Sequence, residues 1–309
     1  MTLPDVLAVV NAAAGTARLR EVNAAAAALH SATARQHATT ELVATESRAD
    51  LDRTLQALDG RRLVILGGDG SIHAAVQCLH RQRGLRDAGP VGIVPLGTGN
   101  DLARTLQIPL DPEAAARNAV EGSARWMELL VSDTDDTTIN AVHLGIGVSA
   151  ASRGASVKRR LAALKLGKLG YPVGAVAAGV AESGWHLSVS VDGRVIHTGA
   201  DPVLMVALGL GGTVGGGAQL IPDANPHDGR VDVVVWESVG VIARLGYALG
   251  LMDGKHARRE DVRTARGTII EVDAADGSSF QVNQDGEILG PFSHRRWEVH
   301  HEAWQAVVP

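Results

Sequence analysis

Residues 62–71 read RLVILGGDGS and residues 90–100 read PVGIVPLGTGN, and these two stretches decide the fold. Each begins with a short apolar run, typical of a buried strand, and ends in a glycine-rich turn. Strands that alternate with helices in this way predict a layered α/β domain with a parallel sheet, in which ligands bind beyond the carboxyl ends of the strands. The predicted strands are residues 5–10, 41–45, 62–66 and 91–94, and the longer predicted helices are residues 18–35, 47–58 and 71–83.

The pattern changes after residue 125, where valine-rich β segments replace most of the helices. This change predicts a second, mainly antiparallel β domain. The predicted β segments are residues 139–148, 186–198, 203–208, 231–236, 262–273 and 279–289, and the predicted helices are residues 153–165, 172–182 and 238–252. We therefore divide the chain into an α/β domain (1–128), a β-rich domain (129–292) and a C-terminal segment (293–309) that returns to the first domain.

Composition excludes several classes of protein. The formal net charge of −5 argues against a wholly basic surface for nucleic acid, so we expect no nucleic-acid partner. The single cysteine, Cys78, excludes an internal disulfide and a cysteine-based zinc site. No apolar run reaches the roughly 18 residues that a membrane span needs, and the N-terminus lacks a basic signal region, so we expect a cytoplasmic protein.

The first glycine-rich turn, Gly67 to Ser71, has the features of a phosphate site. Glycines let a ligand approach the backbone, and the start of the following helix favours an anion. Asp69 would repel a phosphate unless a divalent cation lay between them, so the turn indicates a metal–nucleotide complex. The alternative is a tight turn with a capping aspartate.

The second turn, Gly97 to Asp101, repeats these features at the end of the next predicted strand. Here the alternative is that Asn100 or Asp101 only caps a short helix. Two such turns at neighbouring strand ends favour a ligand site over two unrelated caps. Neither turn is a Walker A loop or a dinucleotide fingerprint.

GGDGS together with PLGTGNDLAR resembles the catalytic domain of the diacylglycerol kinase family, which includes bacterial soluble diacylglycerol kinases, sphingosine kinases and ceramide kinases and is distantly akin to NAD kinase. The resemblance covers nearly the whole chain. Its further matches are the opening turn at residues 11–15 (with the family's proline lost), Thr45, the glycine run at 209–217, the turn at 221–224, the segment DGRVD at 228–232 and the DGE motif at 285–287.

This resemblance implies an NAD-kinase-like α/β lobe that binds MgATP and a β domain that binds the lipid. Asp69 and Asp101 would hold a water network around the catalytic magnesium. The implied nucleotide-binding residues are Asn11, Ala12, Ala13, Ala14, Gly15, Thr45, Gly67, Gly68, Asp69, Gly70, Ser71, Ile72, His73, Gly97, Thr98, Gly99, Asn100 and Asp101.

The resemblance also implies the catalytic groups. Glu287 is the implied proton acceptor, Asp285 remains an alternative, and Asp69 acts through the metal. If these residues lie in a strand, Asp285 and Glu287 point to the same face, whereas in a turn they need not. A solvated turn without chemistry is the competing interpretation of this pair. The family's structural magnesium would be held here by the Asp228 carboxylate and the carbonyls of Asn225 and Arg230, since magnesium prefers oxygen ligands.

The sequence thus predicts an ATP- and Mg²⁺-dependent lipid kinase acting on diacylglycerol or a related lipid alcohol. One alternative is an NAD kinase-like enzyme. Another is a nucleotide-binding regulator without catalysis, which is motivated by Ala74 and Glu128, where the family often has an acidic residue and an aspartate. The basic stretch at 158–168 is either a solvated face, which is the more frequent case, or a site of transient contact with a membrane surface, hence peripheral association. An unpaired sheet edge would allow a homodimer.

Overall fold

The computed structural model describes residues 3–12, 19–146, 148, 184–237, 247 and 259–309. Its N-terminal part is a parallel sheet in the order β2-β1-β3-β4, flanked by helices. The strands are β1 (Val6–Asn11), β2 (Thr40–Thr45), β3 (Arg62–Gly67) and β4 (Pro90–Pro95). The helices are α1 (Leu19–Arg35), α2 (Arg48–Gln56), α3 (Asp69–Arg81), α4 (Asp101–Thr105) and α5 (Pro112–Glu121). The predicted α/β lobe is confirmed.

Local signals explain where these helices begin. Ser47 caps α2 by accepting a hydrogen bond from the amide of Asp50, and Asp111 caps α5 through the amide of Ala114. Pro112 follows Asp111 at the first helical position, where its missing N–H costs nothing. Gly68 precedes α3 in an extended conformation, so this helix starts at the GGDGS turn itself.

The C-terminal segment makes this sheet a mixed one. β18 (His294–Val308) runs parallel to β4 at Gln305 and Pro90, and antiparallel to β5 (Ser123–Ser132). Sequence analysis predicted a parallel sheet and assigned no strand to β5. Because β5 extends across the predicted boundary at residue 128, the domain boundaries stay a prediction.

The second part is mainly antiparallel, as predicted. One sheet has six strands in the order β14-β13-β10-β7-β16-β17, and β18 continues the other sheet through β15, β8 and β9. The six strands are β7 (Ala141–Gly145), β10 (Val203–Gly209), β13 (Val231–Glu237), β14 (Val262–Gly267), β16 (Phe280–Gln284) and β17 (Glu287–Phe292). The remaining strands are β6 (Thr137–Thr138), β8 (Leu187–Val191), β9 (Arg194–Thr198), β11 (Thr213–Val214), β12 (Ala218–Gln219) and β15 (Ile269–Ala274).

Sequence analysis merged strands that the structure separates. The predicted segment 262–273 is broken at Thr268, because the Asp192 carboxylate accepts the amides of Thr268 and Ile269 and turns the chain into the other sheet. The predicted segment 279–289 is broken at Asp285 and Gly286, which both have positive φ and form a two-residue hairpin turn.

The described residues form two large apolar cores and a third, smaller one that includes Trp236 and Tyr247. One large core lies between the parallel sheet and its helices, and the other large core lies between the two sheets of the second part and includes Trp297. Within the described residues, no helix is both long and apolar enough to cross a bilayer. The predicted helices at 153–165, 172–182 and 238–252 and the basic stretch at 158–168 lie outside the described residues.

Candidate active site

A cavity of about 410 Å³ opens at the carboxyl ends of β1, β2 and β3. In the order β2-β1-β3, the strands β2 and β3 lie on opposite sides of β1. Open α/β sheets bind ligands at such a point, where the strand order changes direction. The floor is apolar and the walls are formed by the start of α2 and the GGDGS turn. Its lining residues are Val9, Asn11, Thr45, Glu46, Ser47, Arg48, Leu51, Ile65, Gly68, Gly70, Ser71 and Ala74.

The two glycine-rich turns pack backbone against backbone beside this cavity. A Cβ added to Gly68 would lie 2.8 Å from the Cα of Gly97, and a Cβ added to Gly97 would lie 2.6 Å from the Cα of Gly68. Asn100 shapes the second turn, because its side chain accepts the Gly97 amide at 2.7 Å and donates to the Gly97 carbonyl at 3.0 Å. Only residues without a side chain allow the turns to approach this closely.

Asp69 and Asp101 converge on Gly99 between the turns. A Cβ at Gly99 would lie 3.2 Å from Asp69 Oδ2 and 3.0 Å from Asp101 Oδ2. Asp69 accepts the amides of Asp101 and Leu102, each at 3.1 Å, so it also caps α4. Burial raises the pKa of the Asp101 carboxyl, and the negative charge of Asp69 raises it further.

This carboxylate pair fits the catalytic magnesium that the resemblance implies. Each oxygen of Asp69 accepts one amide, whereas an ionised carboxylate offers about four acceptor positions, so acceptor capacity remains for metal-bound water. A divalent cation would also offset the repulsion between the two carboxylates. Within the described residues, no group of three or more His, Cys, Asp or Glu side chains is arranged to bind a metal directly.

Asp101 joins the N-terminal turn to the glycine run of the second part. Its carboxylate accepts the amide of Gly216 at 2.9 Å and that of Gly217 at 2.9 Å, and Thr213 donates to its carbonyl. Gly216 and Gly217 have φ of 94° and 109°, which other residues rarely adopt. The glycine run therefore donates backbone amides to the buried Asp101 carboxylate.

The hairpin turn separates Asp285 from Glu287. The Asp285 carboxylate points inward and accepts three backbone amides, from Ile139 at 2.7 Å, Asn140 at 3.1 Å and Ala141 at 3.0 Å. Burial raises the pKa of Asp285, while these donors and the nearby His73 oppose that shift. Asp285 thus fixes the chain that leads into β7.

Glu287 instead pairs with a side chain that lines the cavity. Its Oε1 is 2.6 Å from Nη2 of Arg48, which lines the cavity at the start of α2. Both side chains are more than half exposed, so the contact is open to solvent and to a ligand. Arg48 therefore places a positive charge between the cavity and the Glu287 carboxylate of the DGE motif.

The other predicted nucleotide residues divide into four groups, of which the fourth, Ile72 and His73, is buried. Asn11, Thr45, Gly68, Gly70 and Ser71 line the cavity, and their binding of nucleotide stays a prediction. Ala12 follows β1, Gly67 ends β3 directly below the turn, and Thr98 is exposed on the second turn. Ala13, Ala14 and Gly15 lie outside the described residues.

Ile72 and His73 do not line the cavity. Ile72 is 1% exposed and packs in the core of the α/β domain. His73 is buried, and its Nε2 lies 2.8 Å from the carbonyl of Thr137. Both positions follow from the helical geometry of α3, because its fourth and fifth residues point inward behind the GGDGS turn.

The turn that carries Asn225, Asp228 and Arg230 does not fit the structural magnesium implied for it. Asp228 Oδ1 accepts the Arg230 amide at 3.2 Å, and Asp228 Oδ2 is paired with the guanidinium of Arg266. A cation, the Arg266 guanidinium, therefore already pairs with the carboxylate that the magnesium would need. Glu128 does not lie at the carboxylate pair either: it is buried, and its Oε1 accepts the Gly229 amide at 2.8 Å and contacts His301 at 3.0 Å.

Sequence reasoning missed Arg48, Asn140 and Arg266. Arg48 stands three residues after Thr45, directly after a capping serine, and this placement at a strand end was a usable signal. Asn140 donates to the Thr213 carbonyl, and its carbonyl accepts the amides of Leu210 and Gly211. No local pattern indicates that contact, because its partners are about 70 residues away.

Comparisons with known proteins agree with this geometry. Residues 5–131 match the model of the diacylglycerol kinase catalytic domain, and residues 141–307 match that of the YegS C-terminal NAD kinase beta sandwich-like domain. The chain is 30% identical over 248 residues to a Stenotrophomonas maltophilia (strain K279a) protein named "Probable lipid kinase YegS-like", covering 77% of this chain and 74% of that protein. It is 24% identical to a Bacillus subtilis (strain 168) protein named "Diacylglycerol kinase", covering 74% and 71%.

A solved structure shares the fold over the whole chain. A crystal structure of a diacylglycerol kinase from Bacillus anthracis str. Sterne superposes with a TM-score of 0.73 at 19% identity, covering 99% of this chain and 97% of that chain. An α/β lobe with two apposed glycine turns, joined to a β sandwich, defines the diacylglycerol kinase type of catalytic fold. The chain belongs to the lipid kinase family that contains the diacylglycerol kinases and the YegS-like proteins.

Proposed function

We propose that this protein transfers the γ-phosphoryl group of MgATP to the hydroxyl of a lipid alcohol, with diacylglycerol as the first candidate and phosphatidic acid as its product. The observation that carries the proposal is the contact of Glu287 with Arg48, which lines a cavity walled by the GGDGS turn and the start of α2. Phosphoryl transfer depends mainly on positioning and on neutralising charge. Main-chain amides and Arg48 would position the phosphates and offset their charge, and the carboxylate pair would contribute by holding the magnesium ion.

The lipid hydroxyl oxygen attacks the γ-phosphorus, the bond from that phosphorus to the β,γ-bridging oxygen breaks, and ADP leaves. Glu287 accepts the hydroxyl proton, because its carboxylate is exposed at the cleft while that of Asp285 is bound by three amides. Magnesium, when bound through the waters of Asp69 and Asp101, would neutralise phosphate charge.

The direct test is a transfer assay with the purified full-length chain. Radiolabelled γ-phosphate from ATP should appear in phosphatidic acid when diacylglycerol is presented in mixed micelles with magnesium. Parallel arms with sphingosine, ceramide, monoacylglycerol and NAD⁺ identify the acceptor class. Label in NAD⁺ alone would establish the NAD kinase alternative, and ATP binding by calorimetry without transfer to any acceptor would establish the regulator.

Arg48 provides a more specific prediction. We expect Arg48→Gln to raise the KM for ATP and to lower kcat, by about tenfold each, because charged hydrogen bonds contribute about 1.5–3 kcal/mol when they form. Steady-state kinetics with ATP and the accepted lipid measures both constants. Arg53→Gln is the matched control, since Arg53 lies on the same helix and pairs with Asp50 outside the cavity. Equal kinetics for the two variants would remove Arg48 from the site.

A further inference from the structure

One arginine links two carboxylates beside the turn that precedes β13. Asp232 on β13 lies directly opposite Arg266 on β14 in the antiparallel register. The Arg266 Nε is 3.1 Å from Asp232 Oδ1, and the Nη2 of the same guanidinium pairs with Asp228 Oδ2. The planar fork of arginine suits this bridging, because its N–H groups point in fixed directions toward separate oxygens.

The sheet itself places this cation. The antiparallel register places Arg266 directly across from Asp232, at a spacing at which side chains of opposite charge meet. The Asp232 side chain is only 11% exposed, whereas that of Arg266 is 44% exposed. A carboxylate buried to this extent needs a compensating charge, and Arg266 is that charge.

Other side chains close the turn without an ion. The Asn225 side chain accepts the amide of His227 at 3.2 Å, and Asp228 Oδ1 accepts the amide of Arg230. On the opposite side, the buried Glu128 accepts the Gly229 amide. The buried Asp232 Oδ2 has no hydrogen-bond partner among the residues that the structure describes, but it is not one of the three magnesium ligands that the resemblance implies.

We propose that the Arg266 guanidinium takes the place of the structural metal in this chain, so that the turn at 225–230 folds without a divalent cation. A Mg²⁺ ion bound through Asp228 would lie beside an arginine that already pairs with the same carboxylate. Magnesium also requires near-octahedral coordination by oxygen atoms, whereas the Arg266 guanidinium beside Asp228 offers only N–H donors. This inference concerns folding and does not depend on the acceptor lipid.

Thermal unfolding of the full-length, nucleotide-free protein tests the proposal. The wild-type melting temperature should be the same in EDTA and in millimolar MgCl₂. Arg266→Gln should melt about 4 °C or more lower in EDTA, which is the order of shift that the loss of one partly buried charge pair produces in a protein of this size. Millimolar MgCl₂ should recover part of this loss, because the substitution leaves Asp228 and Asp232 without their cation.

Two comparisons make the outcome decisive. Arg263→Gln is the matched control, since Arg263 lies on the same strand and pairs with Glu237 away from the turn, and its melting temperature should not respond to MgCl₂. Mn²⁺ binding followed by electron paramagnetic resonance should be equal for the wild type and Asp228→Asn. A wild-type melting temperature that rises with MgCl₂, together with Mn²⁺ binding that Asp228→Asn abolishes, would overturn the proposal even if Arg266→Gln does not fold.

Discussion

Replacing Glu287 by glutamine is expected to lower kcat by about 10²- to 10⁴-fold, the usual contribution of a general base, with little change in melting temperature. The amide cannot accept the hydroxyl proton, yet it retains the size and the oxygen that faces Arg48. The free energy of unfolding should change little, because the ion pair with Arg48 is half exposed, and exposed pairs contribute about 0–1 kcal/mol. Stopped-time transfer assays and calorimetric melting measure the two quantities on the same preparation.

Asp285→Asn is the matched comparison, since it makes the same chemical change two residues away. Asparagine has one acceptor oxygen where Asp285 binds three amides, so at least one buried N–H loses its partner, at a cost of about 1–3 kcal/mol of unfolding free energy. Asp285→Asn should therefore lower the melting temperature clearly, and Glu287→Gln should not. A Glu287→Gln variant with wild-type kcat, beside a stable but inactive Asp285→Asn, would reassign the proton acceptor to Asp285.

Gly68→Ala is expected to reduce ATP affinity by more than tenfold. The new Cβ would lie 2.8 Å from the Cα of Gly97, closer than real Cβ atoms approach a neighbouring atom, and the obstacle is backbone that cannot rotate away. The two turns must separate, which displaces the main-chain amides at the cavity and the Asn100 hydrogen bonds behind them. Isothermal titration calorimetry with MgATP measures the loss.

Gly84→Ala controls for the general effect of adding a methyl group. A Cβ at Gly84 meets nothing within 4 Å, and Gly84 does not line the cavity. Its ATP affinity should equal that of the wild type. Unchanged ATP affinity in Gly68→Ala would mean that nucleotide binding does not depend on the contact between the two turns. It would contradict the assignment of the cavity at β1 and β3 as the nucleotide site.

The sequence predicted the structure best where neighbouring residues all favour the same secondary structure. The strands before GGDGS and PLGTGN have continuous apolar runs, and both turns carry glycines, so the parallel core and its ligand edge were foreseeable. β5 was missed because its first three residues are exposed and only its later part is apolar. The segments 262–273 and 279–289, each predicted as one strand, contain turns at Thr268 and at Asp285–Gly286. The Asp-Gly pair is a known hairpin signal and could have been used to predict the second turn.

By itself, the sequence determined the α/β lobe, the antiparallel second part and the two glycine turns, because strand periodicity and turn chemistry act over a few residues. Tertiary structure alone decided which carboxylate faces the cleft, since the hairpin directs Asp285 to the amides of Ile139 to Ala141 and leaves Glu287 beside Arg48, 239 residues away. It also decided that Arg266 meets Asp228 and Asp232, through strand register. Such contacts depend on where distant segments pack, and the local sequence around either residue does not indicate which distant residue it will meet.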